Sequence, residues 1–214
     1  MRGALNKEYQ IMIGIVDYNM GNLASVINAF KKVGADARLE SDPSKLDQYD
    51  KLILPGVGAF GDAMAHLKSN GMDVAVKAFA ASEKPLLGIC LGMQLLFESS
   101  EEFGETEGLS LIPGKVVAFD ESKFDHPQKV PHMGWNELFV QKETPIFEGL
   151  PQEIYLYFVH SFHAVCDDRY AIGKTHYGYE FVSAVQNGNI YGIQPHPEKS
   201  HGNGLKIIEN FTKL

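Results

Sequence analysis

The sequence predicts an α/β fold: a doubly wound, flavodoxin-like, mostly parallel sheet with an appended antiparallel subsheet. In the first half, short apolar runs alternate with amphipathic segments of helical period, which is typical of parallel strands covered by helices. In the second half, runs rich in aromatic residues and Val follow one another with turn signals between them, which is typical of strands paired directly with each other.

The first half predicts strands and helices in alternation. Buried strands are expected over 11–16, 51–54 and 85–89, where the apolar runs are nearly continuous, and a shorter strand over 37–40. Apolar residues at helical spacing predict a helix that starts at Leu23 and is closed by Gly34. Further helices are expected over 60–69, 73–81 and 91–98, the last one starting directly where the third buried strand ends.

The second half predicts five strand-like runs and a closing helix over 205–214. The strands are expected over 115–119, 134–140, 153–160, 171–176 and 182–186. The turn signals between them include Ile112-Pro-Gly114, Glu148-Gly-Leu-Pro151 and Asn187-Gly188, and the last of these is a strong hairpin signal. Because no linker or repeat interrupts the pattern, we expect one domain over residues 11–214, preceded by an N-terminal extension over residues 1–10.

Composition narrows the class of protein. A chain of 214 residues fits one domain. The excess of 27 Asp and Glu over 19 Lys and Arg argues against a sequence-independent nucleic-acid binder. No apolar run approaches the roughly 18 residues that span a bilayer, so no membrane association is expected. Two cysteines cannot form a disulfide framework, and we expect a cytoplasmic protein that keeps both reduced.

Gly88-Ile-Cys-Leu-Gly92 has the G-x-nucleophile-x-G form of a nucleophile elbow, between a predicted strand and a predicted helix. The two glycines remove Cβ atoms that would clash in so sharp a turn, and the start of the helix favours a thiolate. We therefore predict that Cys90 is a nucleophile and that the N–H of Leu91 can donate to an oxyanion. The alternative is a small buried apolar side chain, the role expected for Cys166.

His196 lies in Pro195-His-Pro-Glu198, directly after an apolar run. The prolines hold this segment extended, and residues i and i+2 of an extended chain project to the same side. Glu198 can therefore orient the imidazole of His196 while the other ring nitrogen faces the thiol, as in a nucleophile–histidine–acid triad. The alternative is a surface turn with a solvated glutamate.

The glycine-rich segment 55–61 follows another core strand but lacks the Lys-Ser/Thr pair of a P-loop. Its glycines allow a peptide N–H to point at a developing oxyanion, so Val57 and Gly58 are candidates for that role. Doubly wound sheets place their sites at the carboxyl ends of the strands, which predicts that this loop, Cys90 and His196 meet. A tight turn with no role is the alternative.

No metal or cofactor is expected. His160-x-x-His163 and the pair His196 and His201 could be ligands, but no carboxylate or thiol cluster completes a site of known spacing. The predicted strand places His160 and His163 on opposite faces.

These motifs resemble those of the class I glutamine amidotransferases. The resemblance rests on Gly-Ile-Cys-Leu-Gly-Met-Gln-Leu-Leu around Cys90 and on the His-Pro-Glu-Lys-Ser run that starts at His196. Three further segments make the chain most similar to the glutaminase subunits of imidazole glycerol phosphate synthases, namely Pro55-Gly-Val-Gly-Ala-Phe, Pro131-His-Met-Gly-Trp-Asn and Tyr157-Phe-Val-His-Ser. The similarity runs from about Met12 to the C-terminus.

The resemblance implies hydrolysis of L-glutamine to glutamate and ammonia by a Cys90–His196–Glu198 triad, without a cofactor. It implies that Leu91 and the loop around Val57 and Gly58 supply the N–H groups that bind the oxyanion. It also implies residues that bind the amino-acid moiety of glutamine, namely Gly58, Gln94, Ser161 and Phe162.

The resemblance further implies a heterodimer with a (β/α)8-barrel synthase of histidine biosynthesis, which receives the ammonia through a protected channel. The channel has a physical reason, since ammonia released into neutral water becomes ammonium, which has no lone pair for attack. Trp135 and Lys199 are expected to face the barrel, and binding there would switch on the glutaminase by reshaping the loop over 55–58.

The sequence departs from the family pattern at Pro195, where an aromatic residue is usual. Proline removes an N–H and fixes φ, so a slight shift of His196 is expected. Three alternatives follow: a glutaminase that supplies a synthase of surface-polysaccharide sugars, a non-catalytic regulatory subunit, and a cysteine peptidase on the same scaffold. A cysteine peptidase would explain the elbow, but it would not explain the histidine-containing run or the glutamine-site motifs.

Overall fold

The computed structural model describes residues 11–214, so the predicted N-terminal extension lies outside the described residues. Thirteen strands and five α-helices make up this part of the chain. The helices are α1 (Leu23–Lys32), α2 (Phe60–Ser69), α3 (Met72–Ala81), α4 (Leu91–Leu95) and α5 (His201–Thr212). The strands of the first half are β1 (Ile13–Val16), β2 (Ala37–Glu40), β3 (Lys51–Leu54), β4 (Leu86–Ile89), β5 (Phe97–Ser100) and β6 (Thr106–Glu107). The strands of the second half are β7 (Ile112–Ala118), β8 (His132–Val140), β9 (Glu153–His160), β10 (Phe162–Val165), β11 (Ala171–Tyr177), β12 (Tyr179–Asn187) and β13 (Ile190–Ile193).

The core is a parallel sheet in the order β2-β1-β3-β4-β13, which is the flavodoxin-like order. Strands β1, β3 and β4 are buried at every position, as their continuous apolar sequences predict. Successive residues of β3 enter opposite cores, because Leu52 and Leu54 pack with α2 and α3, while Ile53 packs with α1 and α5. The predicted doubly wound fold is therefore confirmed.

The antiparallel part extends from one edge of this core. Strand β12 pairs antiparallel with β13, β11 and β10, and β8 joins β11 to β9. The predicted hairpin is confirmed, because Asn187 pairs with Ile190 and Gly188 adopts a φ of +58° in the two-residue turn. The appended subsheet therefore lies beside the carboxyl end of β13.

Two local predictions are wrong. Helix α4 ends at Leu95, and the chain continues as β5 instead of remaining helical to residue 98. The carbonyls of Leu95, Leu96 and Phe97 accept N–H groups from residues 109–112, so long-range pairing overrides a short apolar run whose period fits either element. The predicted turn Ile112-Pro-Gly114 is the start of β7, with a register shift opposite β5 that accommodates the proline.

Three adjacent parallel strands, β3, β4 and β13, end at the same edge of the sheet. Pro55 follows β3, Cys90 follows β4 and His196 lies three residues beyond β13. This topology brings the three predicted segments to one edge. Within residues 11–214, no helix has the length and apolarity needed to cross a membrane.

Candidate active site

Cys90 occupies a strained turn between β4 and α4. Its φ is +54° and its ψ is −112°, a conformation that residues with a side chain rarely adopt. A Cβ on Gly88 would lie 2.6 Å from the carbonyl oxygen of Gly92, and a Cβ on Gly92 would lie 1.7 Å from that of Leu54. Both glycines are therefore sterically required, as the elbow interpretation predicted.

Buried polar groups surround the Cys90 sulfur. The Gln194 Nε2 atom lies 3.8 Å from Sγ and donates to it, and Sγ lies 3.9 Å from the carbonyl oxygen of Val159. The Tyr18 hydroxyl donates to the carbonyl of Pro55 at 2.8 Å, and the pKa of Tyr18 is raised by burial and by the negative charge of Cys90. The only described cysteine besides Cys90 is Cys166, whose pKa burial raises to about 11.

His196 and Glu198 form a buried pair at the end of the β13 segment. His196 Nδ1 lies 2.7 Å from Glu198 Oε1, and the two side chains are 3% and 2% exposed. The N–H groups of Gln194 and His196 donate to the carbonyls of Ser183 and Tyr157, each at 2.8 Å. The segment is therefore held on both sides of residue 195 although proline offers no N–H there.

The His196 imidazole is charged near neutral pH. Burial lowers the pKa of the ring, but the negative charge of Cys90 and its contact with the ring raise it, Glu198 raises it further, and the net pKa is about 10. His196 Nε2 is buried and has no aligned hydrogen-bond partner, and the same holds for Glu198 Oε2. The pair therefore presents one unpaired, proton-bearing ring nitrogen in the neighbourhood of the sulfur.

The loop after β3 packs tightly beside the elbow. A Cβ on Gly56 would lie 2.5 Å from the Tyr18 hydroxyl and 3.1 Å from the backbone nitrogen of Gly92. Gly58 has a φ of +98°, and Val57 is 41% exposed at the edge of the site. Helix α4 begins at Leu91, so the N–H of Leu91 has no acceptor within that helix.

A cavity of about 330 Å³ unites nearly all of the predicted site residues. It is lined by nine of them, namely Val57, Gly58, Cys90, Leu91, Gln94, Ser161, Phe162, His196 and Lys199. Glu198 does not line the cavity and contacts His196 Nδ1. Trp135 does not line the cavity and stacks on Tyr155 and His201 on the exposed face of β8 and β9.

Glu102 lines the cavity and was missed by the sequence analysis, as were Pro131, Val159 and His160. The Glu102 carboxylate accepts the N–H of Phe60 at 2.7 Å, at the start of α2. Its signal was weak because it is one of several acidic residues over 98–107, and only the strand β5 brings it to the cavity.

Gln94 is held by two hydrogen bonds from its amide nitrogen. Nε2 donates to the carbonyl of Phe162 and to Gln194 Oε1, both at 3.0 Å. Since both amide hydrogens are used within the protein, the group that Gln94 can offer to a ligand is the acceptor Oε1.

His160 and His163 do not lie on opposite faces. The strand is interrupted at Ser161, and both rings pack against Phe119 and Phe181 with centroid distances of 4.9–5.6 Å. Among residues 11–214, no three His, Cys, Asp or Glu side chains are grouped in a way that could hold a metal ion.

Comparisons with known proteins show the family of the chain. A family model described as "Glutamine amidotransferase class-I" matches residues 14–214. The subunit HisH of imidazole glycerol phosphate synthase from Sulfurimonas denitrificans is 72% identical over 94% of this chain and 98% of its own, and HisH from Wolinella succinogenes is 57% identical over 95% and 100%. The fold also matches a chain in the structure of PurLQS from Thermotoga maritima, with a TM-score of 0.76 at 22% identity over 95% of this chain and 98% of that one. The chain therefore belongs to the class I glutamine amidotransferases and, within them, to the HisH subunits of imidazole glycerol phosphate synthase.

Proposed function

We propose that residues 11–214 form the amidotransferase domain of a cytoplasmic glutaminase, in which Cys90, His196 and Glu198 are the catalytic triad that hydrolyses L-glutamine to glutamate and ammonia. One observation carries the proposal: a cysteine in a strained elbow lines a cavity together with an imidazole that a buried carboxylate holds. That combination supports the roles of nucleophile, proton carrier and orienting acid for the three side chains.

In the first step, the Cys90 thiolate attacks the carbonyl carbon of the glutamine side-chain amide. A carbon–sulfur bond forms, and the carbonyl electrons move to oxygen. The His196 imidazolium then gives its proton to the departing nitrogen, so ammonia leaves and a glutamyl thioester remains. The pKa of about 10 suits this order of events, because the ring carries a proton before the attack.

In the second step, neutral His196 takes a proton from water while the water oxygen attacks the thioester carbonyl. The carbon–sulfur bond breaks, glutamate is released, and the thiolate–imidazolium pair is restored. Glu198 remains ionised, fixes the tautomer of His196 through Nδ1 and stabilises its positive charge.

The oxyanion formed in both steps needs N–H donors beside Cys90. The N–H of Leu91 is free of helix bonding, and the loop at Val57 and Gly58 borders the same cavity. The unusual φ of Gly58 allows the adjoining peptide to turn, which gives the loop the freedom to complete the oxyanion hole only when a partner is bound.

The amino-acid moiety of glutamine would bind at the other end of the cavity. Gln94 Oε1 and the Glu102 carboxylate offer acceptors for its ammonium group, while the Ser161–Phe162 segment and Gly58 offer donors for its carboxylate. Lys199 adds a positive charge near the rim, where its Nζ lies 5.9 Å from the centre of the Tyr157 ring. The chemistry of the lining therefore suits a zwitterion.

The ammonia would pass to a (β/α)8-barrel synthase subunit that makes imidazole glycerol phosphate and AICAR in histidine biosynthesis. Support comes from the names of the relatives, which are subunits of that synthase, and from an exposed apolar patch on β8 and β9 beside the cavity. In this patch, Met133, Trp135 and Tyr155 are 62%, 37% and 51% exposed. We place the barrel against it, with Trp135 and Lys199 at the interface.

Glutamine turnover by the purified chain, alone and with the barrel subunit plus its nucleotide ligand, tests the proposal. We expect slow glutamate production by the chain alone and a marked increase in the complex, with both lost in Cys90→Ala. Turnover that survives Cys90→Ala would contradict the triad. Equal turnover with and without the loaded barrel would contradict the proposed gating by the 55–58 loop, but it would not contradict the proposed triad.

A further inference from the structure

A directed chain of hydrogen bonds runs from the appended subsheet to the cavity wall. Asn136 Nδ2 lies 3.2 Å from His132 Nε2, His132 Nδ1 lies 3.0 Å from His160 Nε2, and His160 Nδ1 lies 2.8 Å from the carbonyl oxygen of Phe162. We call Asn136, His132 and His160 the histidine relay. Both rings are almost fully buried, at 2% and 6% exposure.

The partners fix one tautomer for each ring. A carbonyl oxygen can only accept, so His160 donates from Nδ1 to Phe162 and its Nε2 must accept from His132. His132 therefore donates from Nδ1 and accepts at Nε2 from Asn136, whose second amide hydrogen is donated to the carbonyl of His176 at 2.9 Å. Every hydrogen bond runs in the same direction, and both imidazoles are neutral.

The electrostatics of the surroundings agree with neutral rings. Burial lowers the pKa of His132 to about 4, and burial together with the neighbouring His132 lowers that of His160 well below its ordinary value. The rings lie among Phe119, Phe158 and Phe181, which offer no counter-ion.

The relay ends on the segment that borders the substrate cavity. The Phe162 carbonyl accepts from both His160 and Gln94, and the preceding carbonyl, that of Ser161, accepts the N–H of Phe119 at 3.2 Å. Two successive peptides of this segment are therefore held from outside, although Ser161 itself lies in neither β9 nor β10.

We propose that His132 and His160 are positioning residues, which hold the Ser161–Phe162 segment in the conformation that binds the amino-acid moiety of glutamine. The proposal rests on the proposed glutaminase function. The relay acts on the substrate through the Phe162 carbonyl, so its loss weakens binding of the glutamine backbone. His132 does not line the cavity, so its replacement leaves the reactivity of Cys90 unchanged. One lost hydrogen bond to a positioned backbone carbonyl corresponds to a roughly tenfold change in affinity.

A neighbouring histidine provides a matched control. His163 packs against the same Phe119 and Phe181 rings and is 5% exposed, but it bonds to Ala164 O at 3.1 Å and to the Tyr179 hydroxyl at 2.8 Å. His163→Leu therefore disturbs the same aromatic cluster without removing a donor from Phe162.

The test compares two alkylating reagents on the full-length chain. A chloroketone analogue of L-glutamine needs the amino-acid subsite to reach Cys90, whereas iodoacetamide does not. In His160→Leu and His132→Leu we expect the half-saturating chloroketone concentration to rise about tenfold. In His132→Leu, whose side chain does not line the cavity, the limiting inactivation rate and the iodoacetamide rate should stay within about twofold of the wild type. His160→Asn keeps a donor near the position of Nδ1 and restores wild-type saturation.

The outcomes separate the relay from the function on which it rests. Three results would each overturn the positioning role: unchanged chloroketone saturation in both relay Leu variants, an equal loss of saturation in His163→Leu, or a tenfold fall of the iodoacetamide rate in His132→Leu. A wild-type Cys90 that iodoacetamide labels and the chloroketone does not would overturn the glutaminase function and the relay with it. If His160→Leu fails to fold, His132→Leu and His160→Asn decide the question by the same measurements.

Discussion

Two sets of buried histidines in this fold differ in charge. His196 has a pKa raised to about 10, whereas His132, at similar exposure, has a pKa lowered to about 4. Burial lowers the pKa in both places, so burial does not explain the difference. The partners do: His196 lies between a carboxylate and the Cys90 sulfur, both of which raise its pKa, and His132 lies between an amide and a second neutral imidazole.

The contrast separates two uses of the same side chain. A charged ring with a free nitrogen can transfer a proton at the cavity, while a neutral ring with both nitrogens bonded can only hold its neighbours in place. The two sets therefore give different expectations for activity, for titration and for stability.

Activity gives the largest expected difference. Replacing His196 by Asn removes the proton carrier, so we expect kcat for glutamine hydrolysis in the barrel complex to fall by roughly 10²–10⁴-fold. His163→Asn, which changes an equally buried histidine outside the triad and the relay, should leave kcat within about threefold. Steady-state assays of both variants measure the ratio, and similar losses in the two would show that the charged ring has no special role.

Titration of His196 gives the next largest effect. The charge of Cys90 and its contact with the ring contribute more to the raised pKa than Glu198 does, so Cys90→Ser should lower the pKa of His196 from about 10 towards its ordinary value. Glu198→Gln should lower it less. Chemical shifts of the imidazole followed against pH measure these values, and a pKa of His196 that stays near 10 in Cys90→Ser would contradict the ion pair.

Stability against pH gives the smallest effect and has opposite signs for the two sets. The lowered pKa of His132 means that the unfolded chain binds more protons, so the free energy of unfolding falls as pH drops from about 6.5 towards 4, by on the order of 2 kcal/mol. The raised pKa of His196 stabilises the fold fully below pH 6.5, and that contribution is lost as pH rises through about 10.

Denaturant titrations at a series of pH values measure the free energy of unfolding. Its fall towards acid pH is the acid limb of the curve, and its fall towards about pH 10 is the alkaline limb. His132→Leu should flatten the acid limb alone, and Cys90→Ser should shrink the alkaline limb alone. An acid limb that is unchanged in His132→Leu would assign it to carboxylates elsewhere in the chain.

The sequence predicts the core of the fold because its signals are local. The continuous apolar runs at β1, β3 and β4 and the turn at Asn187-Gly188 each allow one element type, and the structure contains them. The boundary between α4 and β5 was not predictable in this way, since Leu95, Leu96 and Phe97 fit either period and long-range pairing decides between them.

The site residues also differ in whether a local sequence signal predicts them. Cys90 and His196 are marked by glycines and prolines at fixed offsets, so spacing finds them. Glu102 and the histidine relay have no such mark, because β5 and the break at Ser161 bring them to the cavity only once the sheet has formed. The prediction that His160 and His163 face opposite sides was wrong for this reason.

The most direct test is to trap the covalent intermediate. The barrel complex is mixed with glutamine and quenched in acid within one turnover, and the peptides are mapped by mass. We predict a glutamyl group on Cys90 and none on Cys166, whose pKa is raised and which lies outside the cavity. A glutamyl group on Cys166, or glutamate production with no glutamyl group on Cys90 even when His196→Asn slows its hydrolysis, would contradict the account.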